Sequence, residues 1–440
     1  MRGVLEGNQF VFRLLVVIVG AAFLSIAATA GVVGSGTPSS CTEAALQAQV
    51  SLGGTITFNC GSGPQTIPFA NTMFIGSTNP KVTIDGNSTI TLDGTGNNSG
   101  MVGIFGSQTE VPDVTFKRIT IANGNITSGL IAGGAIQNFG KLTLDTVVLR
   151  GNHAIGSGAI FQEPCTGCLD PSLIVTNCLF QNNSTGGGGA ISMQGGNASI
   201  ADSTFTGNAA PGAGAIEIYG NSTFKINMTI DRCTFTANTA NSYAGGAITV
   251  ESLNPGSSVS LTNDTFTGNS AIGANGRGAA VYIDAAPVSI TNCTIARNNA
   301  ASSGGAIYFG SRAPATKVNN SIVASNSGGN CSLEPGGNFS GGHNIQYGDS
   351  TCFLMTVANP LLGLLADNGG PTQTIEVKAG SPAIDAADTA AAPSTDQRGI
   401  VRTDGNGDGV VAADIGSFEA PAVTAGNTNL LVRRHHAVHP

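Results

Sequence analysis

The sequence predicts an all-β chain wound as a single-stranded parallel β-helix, and three observations predict it. Of 440 residues, 63 are Gly and 38 are Asn, while only 10% are charged. A phrase of 24–33 residues recurs through the middle of the chain. No 3.6-residue amphipathic period accompanies that phrase. Gly stands at about twice its ordinary share and charge well under half of the usual ~25%, which favours many short strands joined by many turns. The same balance excludes other classes. A disordered tail needs more charge and fewer apolar residues than the 41% found here. A coiled coil needs Ala/Glu/Lys/Leu/Arg dominance, and collagen needs a strict Gly period of three. A net charge of −8 and a pI near 5.0 repel phosphates, so no nucleic-acid partner is expected.

One half of the repeat is G-G-A-I, at Gly133–Ile136, Gly188–Ile191, Gly245–Ile248 and Gly304–Ile307. Looser copies stand at Ser157–Ile160, Ala213–Ile216 and Gly278–Val281, and the last residues of successive copies lie 24, 31, 25, 32, 33 and 26 apart. In the other half an apolar residue stands three places before an Asn. The apolar residues are Leu149, Phe180, Phe205, Phe235, Phe266, Ile295 and Val323, and the partners are Asn152, Asn183, Asn208, Asn238, Asn269, Asn298 and Asn326. Apolar positions at i and i+2 indicate strands, because strand side chains alternate faces. Gly, Asn and Ser between the strands supply turns, since Gly and Asn tolerate positive φ. Parallel strands without covering helices must coil, each turn stacking about 4.8 Å above the last. Ladders then follow: Phe over Phe, Ile over Ile, and Asn hydrogen-bonded to Asn. Cys178, Cys233 and Cys293 each precede an apolar ladder residue by two places, so they share its face and point inward as small hydrophobes. Asp202, Asp231 and Asn263 take the repeat's turn position.

The ends read differently. Residues 1–30 carry Arg2 and Arg13, an apolar run from Leu14 to Leu24, and Ala28-Thr29-Ala30, the pattern of a secretory signal peptide. Cleavage leaves no later stretch able to span a membrane, so a secreted or cell-surface location is expected. Cys41 with Cys60, Cys165 with Cys168, and Cys331 with Cys352 are disulfide candidates in that oxidising compartment. A zinc reading of the C-x-x-C finds no partner pair to complete four ligands. Thr42–Val50 reads as a short amphipathic helix with Thr42 as N-cap, capping the open end of the coil. The organisation expected is a signal peptide at 1–30, a cap and first turns at 31–113, repeats at 114–330, a terminal unit at 331–420 and a flexible tail at 421–440.

The G-G-A-I and F-x-x-N repeats resemble the right-handed β-helix repeats of bacterial surface proteins, including the chlamydial polymorphic outer-membrane type. The stretch Cys41–Leu46 with Gly53–Phe58 resembles the opening of such proteins. Leu365–Thr374, Gly380–Asp385, Thr395–Gly399 and Asp414–Glu419 together resemble the C-terminal unit called the choice-of-anchor Q domain. The resemblance implies a right-handed coil and a secreted or surface protein of bacterial type. After Glu419 no sorting motif or hydrophobic tail follows.

The sequence carries few groups arranged for chemistry. Lysis of an acidic polysaccharide on a pectate-lyase-like coil needs carboxylates to hold Ca²⁺ on the uronate and a base, often Arg, beside them. The repeats offer scattered Arg150, Arg232, Arg277 and Arg297 with Asp202, Asp231 and Asp264. No Asp-Asp pair and no G-x-S-x-G elbow occurs, and His153 and His343 read as isolated turn residues. No catalytic residue is therefore nominated. Asp404, Asn406 and Asp408 have the D-x-N-x-D-G spacing of a calcium loop, with Asp414 one place short of the usual closing position. Calcium is the one cofactor expected. The leading expectation is a non-catalytic, monomeric surface scaffold acting as an adhesin, matrix component or glycan binder; the alternative is a polysaccharide lyase or hydrolase.

Overall fold

A full turn of the coil is built from four short segments, and one turn illustrates all of them. Gly196–Ala201 lies in an 11-stranded first sheet, Thr204–Thr206 in a 12-stranded second, Ala209–Ala210 in a 7-stranded third and Ile216–Tyr219 in a 10-stranded fourth. The computed structural model describes residues 31–422, apart from short loops at 77–80, 108, 128–132, 165–167, 221–223, 252, 285–286, 302–303 and 313–315. The expected signal peptide and all but two residues of the expected tail lie outside the described residues. The strands pair in parallel and in register: Phe180 faces Phe205, Phe205 faces Phe235, Phe235 faces Phe266, and Phe266 faces Ile295. The Phe rings stack with centroids 4.5, 4.7 and 4.8 Å apart. The chain is a parallel β-helix, as its repeat period predicts.

Corners are made by single residues in the left-handed region. Between the first and second sheets stand Asn177, Asp202, Arg232, Asn263 and Asn292, with φ between 51° and 55°. Asp231 is displaced by one place from its expected turn position: it ends a strand opposite Ala201 and Thr262, and Arg232 makes the turn. Between the second and third sheets the same role falls to Asn182, Gly207, Ala237, Gly268 and Arg297. Ala237, at φ 55°, holds a conformation that is unfavourable by roughly 1–2 kcal/mol for a residue with Cβ.

The residue after that second corner is the ladder Asn. Asn183 shows the pattern. Its Nδ2 donates to Leu149 O at 3.0 Å in the preceding turn and to Asn208 Oδ1 at 2.9 Å in the next. Its backbone N–H donates to the same Oδ1 at 3.0 Å. The pattern holds for Asn208, Asn238, Asn269 and Asn298, and it ends where Asn326 Nδ2 reaches Asn330 Oδ1 at 2.9 Å. These amides are fully buried from Asn183 to Asn269, so each satisfied donor avoids a desolvation penalty.

The first corner carries a second column. Cys178, Ser203, Cys233, Asp264, Cys293 and Ser321 follow one another on successive turns, and the three cysteines are free and buried. Ser203 Oγ, Asp264 Oδ1 and Ser321 Oγ accept the backbone N–H of Cys178, Cys233 and Cys293. Asp264 is fully buried and its Oδ2 lacks a partner. Burial pushes its carboxyl far above the usual range.

The helix Glu43–Val50 covers the first turn, as expected, with Thr42 Oγ1 accepting Ala45 N–H at 3.1 Å and Leu46 and Val50 buried. Cys41–Cys60 and Cys331–Cys352 are disulfides. Cys168 is disulfide-bonded too, while Cys165 lies outside the described residues. The coil runs past residue 330: Cys331–Leu333 extends the fourth sheet, and Ile345–Tyr347 and Thr356–Val357 extend the second. Residues after 357 turn back and lie along the outside of the second sheet. Thr234 Oγ1 donates to Gln373 O at 2.5 Å, Thr265 Oγ1 to Gln397 Oε1 at 2.6 Å, and Ser417 N–H to Thr294 Oγ1 at 3.0 Å. Two buried ion pairs brace this strap, Arg398 with Asp396 at 2.6 Å and Arg402 with Glu419 at 2.8 Å. Among the described residues no helix is long and apolar enough to cross a membrane.

Two stability measurements test this packing. Asn238→Ala strips the acceptor from two buried donors of Asn208 and is expected to lower unfolding free energy by about 3 kcal/mol in urea titration. Asn326→Ala, at the half-buried end of the ladder, is expected to lower it by about 1 kcal/mol; equal small losses would contradict the ladder's role. Asp264→Ser keeps an acceptor for Cys233 N–H and removes the unpartnered oxygen. A raised folded pKa means that Asp264 weakens the fold increasingly as pH rises above the unfolded value of 3.8. The variant should therefore be more stable by about 1–3 kcal/mol at neutral pH, with the gain shrinking below pH ~4. Equal stability at neutral pH would contradict the assignment.

Candidate functional site

Strand alternation places the residue after each G-G-A-I motif, and the residue two further on, on the outer face of the fourth sheet. The first column reads Ser192, Glu217, Thr249, Tyr282, Tyr308 and Ser332 on successive turns. The second reads Tyr219, Glu251 and then Asp284, which follows Ile283 in the next strand. Charged and aromatic groups from separate turns are thus brought together by register alone.

The motif loops fold down over this face. A Cβ on Gly188 would lie 2.6 Å from Glu217 N and 2.8 Å from Glu217 Cβ, so only Gly permits the approach. Ser192 and Thr249 are sealed beneath, accepting the N–H of Gly188 and of Gly245 at 2.8 Å each. Glu217 emerges between the loops, with Ser192 Oγ donating to its Oε2 at 3.2 Å. Burial, helped by the charge of Glu251, pushes its carboxyl up to about 7 against the Ser192 bond. Glu251 is likewise raised by burial and by Asp284. Tyr219 and Tyr243 flank the pair, each 45% exposed.

Two turns on, the chemistry changes. Tyr282 and Tyr308 stack with centroids 4.7 Å apart. Arg277 Nη1 donates to Tyr308 Oη at 2.9 Å, and its guanidinium lies 5.1 Å from that ring's centre. Glu334 lies beside Tyr308; its carboxylate accepts Ser311 N–H at 3.2 Å and is held below its ordinary range, chiefly by that amide. Asp284 is ion-paired with Arg312. Arg277, Tyr308, Ser332 and Glu334 line a cavity of about 240 Å³ with Asn275 and Pro335.

Of the arginines and aspartates weighed from sequence, only Arg277 reaches this site. Arg232 is clamped on Asp202 at 2.7 and 2.8 Å and on Asp231, Arg297 donates to Gly363 O at 2.7 Å beneath the strap, and Asp264 is in the core. Arg150 is exposed on the second sheet. His153 opens a short strand, with Nδ1 3.1 Å from Ser184 Oγ, and His343 makes a turn at φ 54°. The repeats do supply a charge cluster after all, and sequence reasoning missed Glu217, Glu251, Asp284, Arg312 and Glu334. Alignment on the last residue of G-G-A-I would have found the first three of them, at one or three places beyond it.

The calcium-loop residues divide. Asp404 accepts Gly407 and Gly409 N–H at 2.6 and 2.8 Å, and Asn406 and Asp408 each accept the amide two places on. Asp414 does not join them. It is buried, with its carboxylate accepting Ala420 N–H at 2.6 Å and Asp385 N–H at 2.7 Å. Asp385 closes the loop instead, accepting Gly405 and Asn406 N–H at 3.2 and 2.7 Å. Among the described residues no three His, Cys, Asp or Glu side chains are grouped to hold a metal ion.

Residues 165–286 match the family model of the right handed beta helix region. That match and the stacked sheets make the fold a right-handed parallel β-helix. The matched span carries Glu217 and Glu251 on their strands and Asp284 just after the strand Val281–Ile283. No curated protein and no solved structure matches the chain.

The environment of Glu217 gives a stability signature. Its folded pKa near 7 exceeds the ordinary 4.5, so its contribution is present below pH ~4.5 and is lost as pH rises through 7. Glu217→Gln should match the parent's melting temperature at pH 4 and exceed it at pH 8. The same difference at both pH values would contradict the burial assigned to this carboxyl.

Proposed function

We propose that the protein is a secreted or cell-surface β-helix scaffold that binds polysaccharide or cell-surface glycan on the outer face of the fourth sheet. The observation that carries this reading is the convergence of Arg277, Tyr308, Ser332 and Glu334 around one cavity, with Glu217, Glu251 and Tyr282 on the adjoining turns. Rings beside hydrogen-bonding groups suit a sugar, whose ring faces are apolar and whose hydroxyls both donate and accept. The signal-peptide pattern and the disulfides support an oxidising compartment outside the cytoplasm. The terminal motifs shared with the choice-of-anchor Q unit support a surface role, with the strap as a brace for the coil. Affinity electrophoresis against a panel of polysaccharides tests the reading. At least one glycan should retard the protein, and Arg277→Ala should weaken that binding about tenfold, or roughly 1.4 kcal/mol. No retardation by any glycan, or an indifferent variant, would overturn it.

A second reading, cleavage of the bound glycan, is favoured by Glu217 alone. A carboxyl poised near neutral pH beside a second carboxylate is the pattern of a general acid with its partner. Release of reducing ends or unsaturated products, lost in Glu217→Gln, would support cleavage, and a bound glycan left intact would reject it.

We propose calcium at the 404–409 loop as a separate site, which would draw on the side-chain oxygens of Asp404, Asn406 and Asp408, with Asp385 beside them. A higher melting temperature in calcium than in chelator would support it. Identical values would dismiss it.

A further inference from the structure

We infer that the cavity at Arg277 takes a neutral sugar chain, gripped through neighbouring hydroxyls, and disfavours uronate chains. This deepens the glycan-binding reading and rests on it. The face presents four carboxylates, Glu217, Glu251, Asp284 and Glu334, against two guanidinium groups, Arg277 and Arg312. Arg312 is committed to Asp284. Arg277 is left as the cation of the cavity, and its neighbour across Tyr308 is Glu334. A uronate carboxylate seated on Arg277 would therefore stand beside Glu334, with Glu251 further along the same face. Like charges so arranged repel, and the partly enclosed site screens them poorly.

A hydroxyl meets no such conflict. It donates to a carboxylate and accepts from a guanidinium at once, so two neighbouring hydroxyls can bridge Arg277 and Glu334. Both side chains are positioned before any ligand arrives, Arg277 by its bond to Tyr308 Oη and Glu334 by Ser311 N–H. Such preorganisation lowers the ordering cost of binding. Tyr308 lines the cavity but is buried and stacked on Tyr282, so it serves as a rigid backing for Arg277. Asn275 and Ser332 add groups able both to donate and to accept.

Calorimetric titration of the secreted full-length protein, at one fixed ionic strength, tests the inference with three kinds of probe. These are neutral tetrasaccharides (cello-, xylo-, manno- and galacto-), tetragalacturonate, and the chitosan tetramer. At least one neutral probe should bind ten-fold or more tightly than tetragalacturonate and more tightly than the chitosan tetramer. Glu334→Gln should weaken the neutral probe about ten-fold while narrowing its advantage over tetragalacturonate. Arg277→Lys, which keeps the charge but loses the planar donor set, should also weaken the neutral probe. Each variant is used only where its melting curve matches the parent. Tighter binding of tetragalacturonate or of the chitosan tetramer than of every neutral probe would overturn the neutral class and leave glycan binding standing. Failure of all probes, charged and neutral, would overturn both.

Discussion

A buried amide that must find a partner in the next turn is the constraint on which the rest of this structure depends. From Asn183 to Asn269 each ladder side chain bonds both to the turn before it and to the turn after it. A slip of register by one residue would turn these amides outward and leave buried donors unpaired. The ladder therefore holds all four sheets in step, including sheets it does not touch. Phe stacking adds apolar burial, but a Phe ring tolerates small displacement where a buried amide does not. The left-handed corner before each Asn is part of the same device, and it persists at Ala237 and Arg297 despite their Cβ.

Register is also what assembles the candidate site. Glu217, Glu251, Asp284, Tyr308 and Glu334 come from five successive turns and share one face because equivalent places in each turn lie about 4.8 Å apart. The second sheet shows what happens to an outer face without such chemistry. Its row of Thr234, Thr265 and Thr294 is occupied by the chain's own C-terminal strap. Gln397 sits at the centre of that seam, donating to Cys233 O and Thr234 Oγ1. The motifs of the terminal unit thus have structural employment: Asp396 and Glu419 are the carboxylates of buried ion pairs, and Phe418 lies 3.7 Å under the guanidinium of Arg398. The two faces divide the labour between them. One is closed by the protein, and the other is open to a ligand.

Much of the coil was legible in sequence because every turn solves the same packing problem with the same residues. The Phe and Asn ladders, the inward cysteines and the capping helix with Thr42 at its N-terminus all follow from spacing and alternation. The candidate site was not legible by the same route. Its residues change type from turn to turn, since nothing in the core selects them, and the intervening loops change length. The charged residues that do recur near one another in the repeats, Asp202, Asp231 and Arg232, form a corner clamp. The strap escaped notice for a different reason. Outward threonines look alike whether they meet water or a returning chain. Asp414 was assigned to the calcium loop by its place in a motif, but the fold turns it toward the amides of Ala420 and Asp385.

The open face of the fourth sheet is proposed as the place where this protein meets its ligand. Hydrogen–deuterium exchange of the full chain, with and without a saturating glycan, tests that claim most directly. Ligand binding on this face should add protection at residues 210–220, 243–251, 272–284, 304–312 and 330–336, with the strap unchanged. Protection centred on residues 371–420, or on the outer face of the first sheet, would contradict it.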